Sequence, residues 1–172
     1  MDLKKRIREV ADFPKPGISF KDLTTLFKDN DALRFSTEAI IKEFEDKKIT
    51  KVLGIESRGF IIGGIVAYEL GAGFIPVRKK GKLPAQTIWE SYELEYGTDS
   101  VEIHSDALSE NDIVLIHDDL LATGGTAYAT LQLAKRAGVK EIYFSFICDL
   151  DFIDAEKKDK IKEYETQILV KY

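Results

Sequence analysis

Ile113-Val-Leu-Ile-His-Asp-Asp-Leu-Leu-Ala-Thr-Gly-Gly-Thr126 joins an apolar run, two adjacent carboxylates and a loop of small residues within fourteen positions. Residues 113–116 are four apolar side chains in a row, the pattern of a strand covered on both faces in a parallel sheet. Residues 127–137 carry helical periodicity and stop at Gly138, a natural C-terminal cap. Between strand and helix, residues 122–126 include no bulky side chain, so their backbone can approach a ligand closely. A loop entering a helix offers unpaired N–H groups and the positive end of the helix dipole, which favours phosphate. Asp118 and Asp119, at the strand's carboxyl end, carry the wrong charge for phosphate but accept hydrogen bonds from hydroxyls. A ligand with vicinal hydroxyls and a phosphate one sugar-width away is a ribose 5-phosphate.

Outward from this stretch, strands and helices alternate. A loop rich in Pro and Gly, residues 13–22, precedes a helix over residues 31–47. A strand at 51–55, a helix at 59–70 and a strand at 74–77 follow. Next come a basic run and a β-hairpin, residues 88–95 and 100–104, turning at Gly97-Thr98. After the central strand and helix come a strand at 141–148, a helix at 153–162 and a last strand at 167–170. This order predicts an α/β fold with a mostly parallel central sheet flanked by helices. Residues 1–172 make one domain. The inserted hairpin has no helix to pack on in this reading, which makes it a lid candidate. Residues 1–10 read as a short amphipathic helix without an apolar signal core.

Composition narrows the function class. The chain is 44% hydrophobic and 32% charged, with no apolar run of membrane-spanning length. Cys148 is the single cysteine, which excludes an intrachain disulfide and a cysteine metal cluster; it reads as an inert core residue. A cytoplasmic protein is expected. The net charge of −5 argues against a nucleic-acid partner. Against it, residues 78–82 (Arg-Lys-Lys-Gly-Lys) place four cations in five positions, a solvated loop unless a polyanion belongs beside it. No Gly-x-Gly-x-x-Gly follows a strand and no P-loop occurs, so dinucleotide and P-loop triphosphate readings have no support.

Open α/β sheets bind ligands at the carboxyl ends of their strands. Three such ends are chemically loaded here. One is Asp118-Asp119 with Ala122, Thr123, Gly124, Gly125 and Thr126. Another, after residues 51–55, is Glu56-Ser57-Arg58-Gly59, a second strand-to-helix turn, in which Arg58 faces either an anion or solvent. The third is the basic run, with Arg78, Lys79 and Lys82. Two cationic ends and one acidic end fit one substrate, with pyrophosphate at C1, a diol in the middle and phosphate at C5.

The central stretch resembles the 5-phosphoribosyl 1-pyrophosphate (PRPP) signature of the type I phosphoribosyltransferases, in the form carried by their adenine-using members. The resemblance extends over nearly the whole chain. Residues 13–22 look like the family's N-terminal hood over the base, about residues 1–30. Residues 56–60 are similar to its pyrophosphate loop, which implies a non-proline cis peptide between Glu56 and Ser57. Residues 77–84 match the pyrophosphate-binding run, and residues 91–97 the flexible catalytic hairpin, about residues 82–106. The resemblance implies transfer of 5-phosphoribosyl from PRPP to adenine, giving AMP and pyrophosphate. Glu95 becomes the general acid/base, although alternation along the hairpin alone makes it a solvated side chain. Phe20 and Leu150, by default core residues, become the surfaces sandwiching adenine, and backbone groups of Ser19 and Lys21 read its edge. Glu56, Ser57, Arg58, Arg78, Lys79 and Lys82 face pyrophosphate. Mg²⁺ is expected to arrive mainly through the substrate, with no dedicated protein site. A homodimer is implied, with Arg78 near the partner's active site; otherwise the apolar residues 60–65 pack only on their own sheet. The competing functions are the same chemistry on a 6-oxopurine and a non-catalytic PRPP-sensing regulator. His104 and His117 have no partner spacing and read as structural.

Overall fold

The computed structural model describes residues 1–94 and 97–172. In chain order its elements are β1 (Arg8–Ala11), β2 (Ser19–Asp22), α1 (Thr24–Phe27), α2 (Asn30–Phe44), β3 (Lys51–Ile55), α3 (Gly59–Glu69), β4 (Gly73–Lys79), β5 (Thr87–Leu94), β6 (Gly97–His104), β7 (Ile113–Leu121), α4 (Gly125–Arg136), β8 (Glu141–Asp149), α5 (Glu156–Lys162) and β9 (Thr166–Lys171). Seven strands form one sheet in the order β5-β6-β4-β3-β7-β8-β9. β4, β3, β7, β8 and β9 are parallel neighbours, whereas β6 runs antiparallel to both β4 and β5. The apolar runs form the inner strands because each must fill two faces. Val52 and Leu115 point to the α2–α3 side, while their chain neighbours Leu53 and Ile116 point to the α4 side.

The parallel set starts at β3, steps outward to β4, then returns to β7 on the other side. Strand order therefore reverses between β3 and β7, and the crevice outside their carboxyl ends is where such sheets bind ligands. Both turns identified from sequence open onto it.

Four features differ from the sequence expectation. The N-terminal stretch is a 3₁₀ turn over Leu3–Arg6 followed by β1, not one helix. A ten-residue helix is too short to hold itself together, whereas β1 gains β2 as a partner and Arg8 donates to Asp22 Oδ2 from Nε at 3.1 Å. The hairpin does have a helix beneath it. Tyr92, Val101 and Ile103 are buried, the Tyr92 ring lies against Gly125 at the head of α4, and Arg136 donates to the Trp89 carbonyl at 3.0 Å. Finally, β4 extends to Lys79 because Arg78 and Lys79 pair with Glu102 and Val101 of β6. Gly97 and Thr98 belong to β6, opposite Leu94 and Glu93, rather than to the turn. Glu95 lies outside the described residues. No helix among the described residues is long and apolar enough to cross a membrane.

Candidate active site

β7 continues past its apolar run to Leu121, so the acidic pair is part of the strand end itself. Asp118 Oδ1 accepts the Asp119 N–H at 2.8 Å, and Asp119 Oδ2 is ion-paired with Arg58 Nε at 2.7 Å. Burial and the neighbouring charge of Asp119 push Asp118 well above the usual carboxylate range. Burial raises Asp119 as well, with Arg58 pulling in the opposite direction. Both carboxyls are therefore harder to ionise than free ones. Arg58 reaches Asp119 because α3 starts at a glycine: a Cβ on Gly59 would lie 2.9 Å from the His117 carbonyl and 3.1 Å from Asp118 Oδ1. Beneath them, His117 is buried with Nδ1 2.8 Å from Ser145 Oγ, and burial pushes its ring down to about 4, so it stays neutral. That matches its structural reading. His104 is also structural, its Nε2 2.7 Å from the Pro84 carbonyl.

Ala122, Thr123 and Gly124 lead from β7 into α4. Gly124 holds φ +78°, a left-handed conformation that lets the chain turn straight into the helix. α4 has no side-chain cap, and the Gly125 N–H faces Thr123 Oγ1 only at a long 3.4 Å. The first-turn amides, including those of Thr126 and Ala127, are thus left for a ligand. A cavity of about 90 Å³ is bounded by this loop together with Asp118 and Leu120. A second, of about 420 Å³, is lined by Glu56, Ser57, Arg58, Asp118, Asp119 and Leu120. The two meet at Asp118 and Leu120, with carboxylates between a bare helix terminus and a charged turn.

The Glu56–Ser57 peptide is cis, as the resemblance implied. Arg78 forks onto the Glu56 carboxylate at 3.2 and 3.3 Å, and the Lys79 N–H donates to it at 2.9 Å. Burial opposes the charge on Glu56, but these donors outweigh it and hold the carboxyl below its usual range. The other cations of the run are dispersed. The Lys79 ammonium is bonded to Asp99 and the Tyr92 hydroxyl, and Lys80 stacks 3.4 Å above the Trp89 ring. Lys82 is exposed and makes no ion pair among the described residues.

The hood contributes Phe20, which meets Phe13 edge-on at 5.1 Å and carries the Arg58 guanidinium 5.8 Å from its ring centre. Lys21 turns its ammonium to Glu9 at 2.9 Å and to the face of Tyr172 at 4.3 Å. β2 has only β1 beside it, and Ser19 and Lys21, two residues apart, present their backbone groups to the same edge. Leu150 is held at both ends: its N–H donates to Leu121 O at 3.0 Å and its carbonyl accepts from Lys158 Nζ at 2.6 Å.

Two groups escaped the sequence reading. Lys158 is 2% exposed, pairs with fully buried Asp149 at 2.6 Å, and its backbone lies 3.0 Å from where a Cβ on Gly124 would stand. It joins the Leu150 segment to the phosphate loop, and nothing local distinguishes it from the surface lysines of α5. Glu102 is buried among the backbone amides of the basic run. Its one sequence signal is an acid between Val101 and Ile103 in a strand facing four cations.

The phosphoribosyl transferase domain family matches residues 24–170. Over 155 residues the chain is 57% identical to an adenine phosphoribosyltransferase of Bacteroides fragilis, covering 90% of this chain and 87% of that one. Among solved structures, adenine phosphoribosyltransferase from Rhodothermus marinus is 49% identical and superposes with a TM-score of 0.90, over 99% of this chain and 96% of that one. The Giardia lamblia enzyme complexed with 9-deazaadenine is 38% identical with a TM-score of 0.92, at the same coverages of 99% and 96%.

Proposed function

Because this chain belongs to the adenine phosphoribosyltransferases, we propose a role for each group around the crevice in transferring 5-phosphoribosyl from PRPP to adenine. The protein is an enzyme of purine salvage, and its products are AMP and pyrophosphate. The observation that carries the assignment of roles is the meeting of two cavities at Asp118 and Leu120, one under the bare α4 terminus and one under Arg58 and Glu56.

In this reading the 5-phosphate sits on the amides of residues 122–126, and Asp118 and Asp119 accept the ribose hydroxyls. As the anomeric C–O bond breaks, its electron pair leaves with pyrophosphate and positive charge builds on the sugar. Asp118 and Asp119 stand where that charge appears and stabilise it. Arg58, Arg78 and Lys82 receive the pyrophosphate, with Ser57 and the Lys79 amide beside them. Adenine lies between Phe20 and Leu150, its edge read by the main chain of Ser19 and Lys21. Its attacking nitrogen bonds to C1 and gives up a proton, for which Glu95 on the hairpin is the acceptor. Closure of the hairpin, residues 88–104, would exclude the water that competes for the sugar.

Among the described residues no three His, Cys, Asp or Glu side chains make a metal cage. Two carboxylates beside a polyphosphate site fit Mg²⁺, which is usually held by one or two carboxylates plus substrate phosphates. Bound there by Asp118 and Asp119 with the substrate, it would neutralise charge on the leaving group.

We also propose a homodimer through α3. This helix is apolar on most of its surface: Ile62, Val66 and Ala67 are buried, while Ile61, Ile65 and Tyr68 remain exposed. Sedimentation at micromolar concentration checks it, and a fully active species near the 19.4 kDa of one chain would remove the dimer. A cytoplasmic setting fits a chain whose single cysteine, Cys148, is buried and has no second thiol for an intrachain disulfide.

Paired kinetics with PRPP and either adenine or hypoxanthine test the reading. A site that hydrogen-bonds the adenine amino group leaves a buried group unpaired against a 6-oxopurine, so turnover should be confined to adenine. Comparable kcat/KM on both bases would overturn the base assignment. In the same assay, Glu95→Gln with an unchanged single-turnover rate would remove that residue from proton transfer.

A further inference from the structure

Glu102 has no place in the chemistry above, yet it is a carboxylate only 3% exposed at the edge of the cation cluster. It sits on β6 directly opposite Arg78 of β4. Its Oε1 accepts three consecutive backbone N–H groups, from Gly81 at 3.0 Å, Lys82 at 3.0 Å and Leu83 at 2.9 Å. The Thr87 hydroxyl donates to Oε2 at 3.1 Å. Successive amides converging on one oxygen are the means by which backbone holds an anion, and here the anion is the protein's own. Burial opposes that charge, but the amides of Leu83, Gly81 and Lys82 and the Thr87 hydroxyl keep the carboxyl below its usual range.

The loop held in this way is the one that carries the cations. Its Lys82 carbonyl accepts Arg78 Nη1 at 3.3 Å, Arg78 forks onto Glu56, and Glu56 lines the larger cavity. One continuous polar path therefore runs from Glu102 through the loop backbone and Arg78 to the crevice. We propose that Glu102 is a positioning residue for the pyrophosphate end of the site. It fixes the backbone of residues 81–83 so that Arg78 and Lys82 stand ready for the polyanion. Enclosed by four donors, it acts through the loop and does not touch substrate. The inference rests on the reading that Arg78 and Lys82 meet pyrophosphate.

The test is the split between KM values for PRPP and adenine in Glu102→Ala, Glu102→Gln and Thr87→Val, with Arg78→Ala and Lys82→Ala as references. Glu102→Ala leaves three amides without their acceptor and should raise the KM for PRPP about tenfold, with that for adenine within about twofold. Inhibition by pyrophosphate should weaken in parallel. Glu102→Gln keeps an oxygen for the three amides and returns an N–H to Thr87, so it should restore the PRPP KM to within about threefold of the parent. Thr87→Val loosens only Oε2 and should raise the same KM about two- to threefold, which keeps the test open if Glu102→Ala does not fold. The proposal is overturned if Glu102→Ala moves both KM values equally, if Glu102→Gln is as impaired as Glu102→Ala, or if neither Glu102→Ala nor Thr87→Val moves the PRPP KM. Should Arg78→Ala and Lys82→Ala leave that KM unchanged, the assignment of the cations fails and the proposal fails with it. If those two raise it and the Glu102 variants do not, the role of Glu102 alone is lost.

Discussion

The turns that follow β3 and β7 lie side by side where strand order reverses, yet they are built on opposite plans. After β7, Ala122, Thr123 and Gly124 bring no charge, and the uncapped α4 opens into a cavity of about 90 Å³. After β3, every charged group is already paired: Arg58 with Asp119, and Glu56 with Arg78 and the Lys79 amide. A helix terminus is a fixed dipole that needs no reorganisation when an anion arrives. The charged turn must instead trade internal ion pairs for substrate phosphates. In the proposed reading the 5-phosphate end is preorganised, whereas the turn after β3 meets its ligand with Arg58 and Glu56 already paired inside the protein. Asp119 and Glu56 are largely buried, so taking their arginines away entirely would cost more than breaking a surface pair, and the exchange is eased only while each cation keeps some contact with its carboxylate. That is a suitable arrangement for an end of the substrate that must also leave.

The comparison breaks most severely if the bare turn proves dispensable. Gly124→Val forces a β-branched residue to φ +78° and puts its Cβ 3.0 Å from Lys158 N and Cα. Backbone strain of about 1–3 kcal/mol and a similar overpacking penalty should abolish PRPP binding in calorimetric titration. Wild-type affinity in this variant would place the phosphate elsewhere.

Asp118, at the junction of the two cavities, comes next. Asp118→Asn should lower kcat by about two to three orders of magnitude, about 3–4 kcal/mol of transition-state stabilisation. The same change should raise Tm by about 2–4 °C at pH 7. The sign follows from linkage. A carboxyl whose folded value is raised binds its proton more tightly in the folded state, so its contribution is present at low pH and lost as pH rises through the folded value. Ionising Asp118 in its buried setting costs stability, and an amide in its place has no charge to bury. An activity loss accompanied by a lower Tm would mean that the residue is structural.

A smaller effect sharpens the idea of a self-neutralised turn. Arg78→Ala should raise the PRPP KM about tenfold, because it removes a pyrophosphate partner and leaves Glu56 uncompensated. Glu56→Gln should lower the same KM about two- to fivefold by releasing Arg78 from its internal partner. Equal increases in both variants would show that the pair only supports the loop.

The smallest consequence for catalysis concerns His117, the neutral floor beneath both turns. Its ring should titrate near 4 in the folded protein by NMR, against about 6.5 when unfolded. A lowered value in the folded state means that stability is full above about 6.5 and declines as pH falls toward 4. A midpoint near 6.5 in the folded protein would show that the ring is hydrated and that the floor is open.

Much of this was legible in one dimension. The strand at 51–55 and the helix starting at Gly59 stand where the apolar patterning put them, and the Asp118–Asp119 pair lies at a strand end beside a helix terminus. These are features of contiguous residues, set by side-chain period and turn chemistry over a few positions. The N-terminal stretch shows the opposite case. Its helical periodicity lost to a strand partner 8 to 14 positions away, Ala11 with Ser19 and Arg8 with Asp22. A hairpin expected to stand free was drawn into the sheet by Arg78 pairing with Glu102, and so gained α4 beneath it.

The sequence by itself determined the α/β class, the acidic pair at a strand end and the small-residue loop that leads into α4, because strand, turn and helix N-terminus are written in consecutive residues. Only the tertiary structure decided which charges pair with one another and which are buried. Arg58 meets Asp119 across the reversal of strand order, Lys79 is drawn to Asp99, and Glu102 disappears beneath the basic run. Each of these pairings joins residues some 20 to 60 positions apart, and strand order alone brings them within a few ångströms. Charge in a sequence is a list of signs, whereas charge in a site depends on burial and on which partner stands next to it.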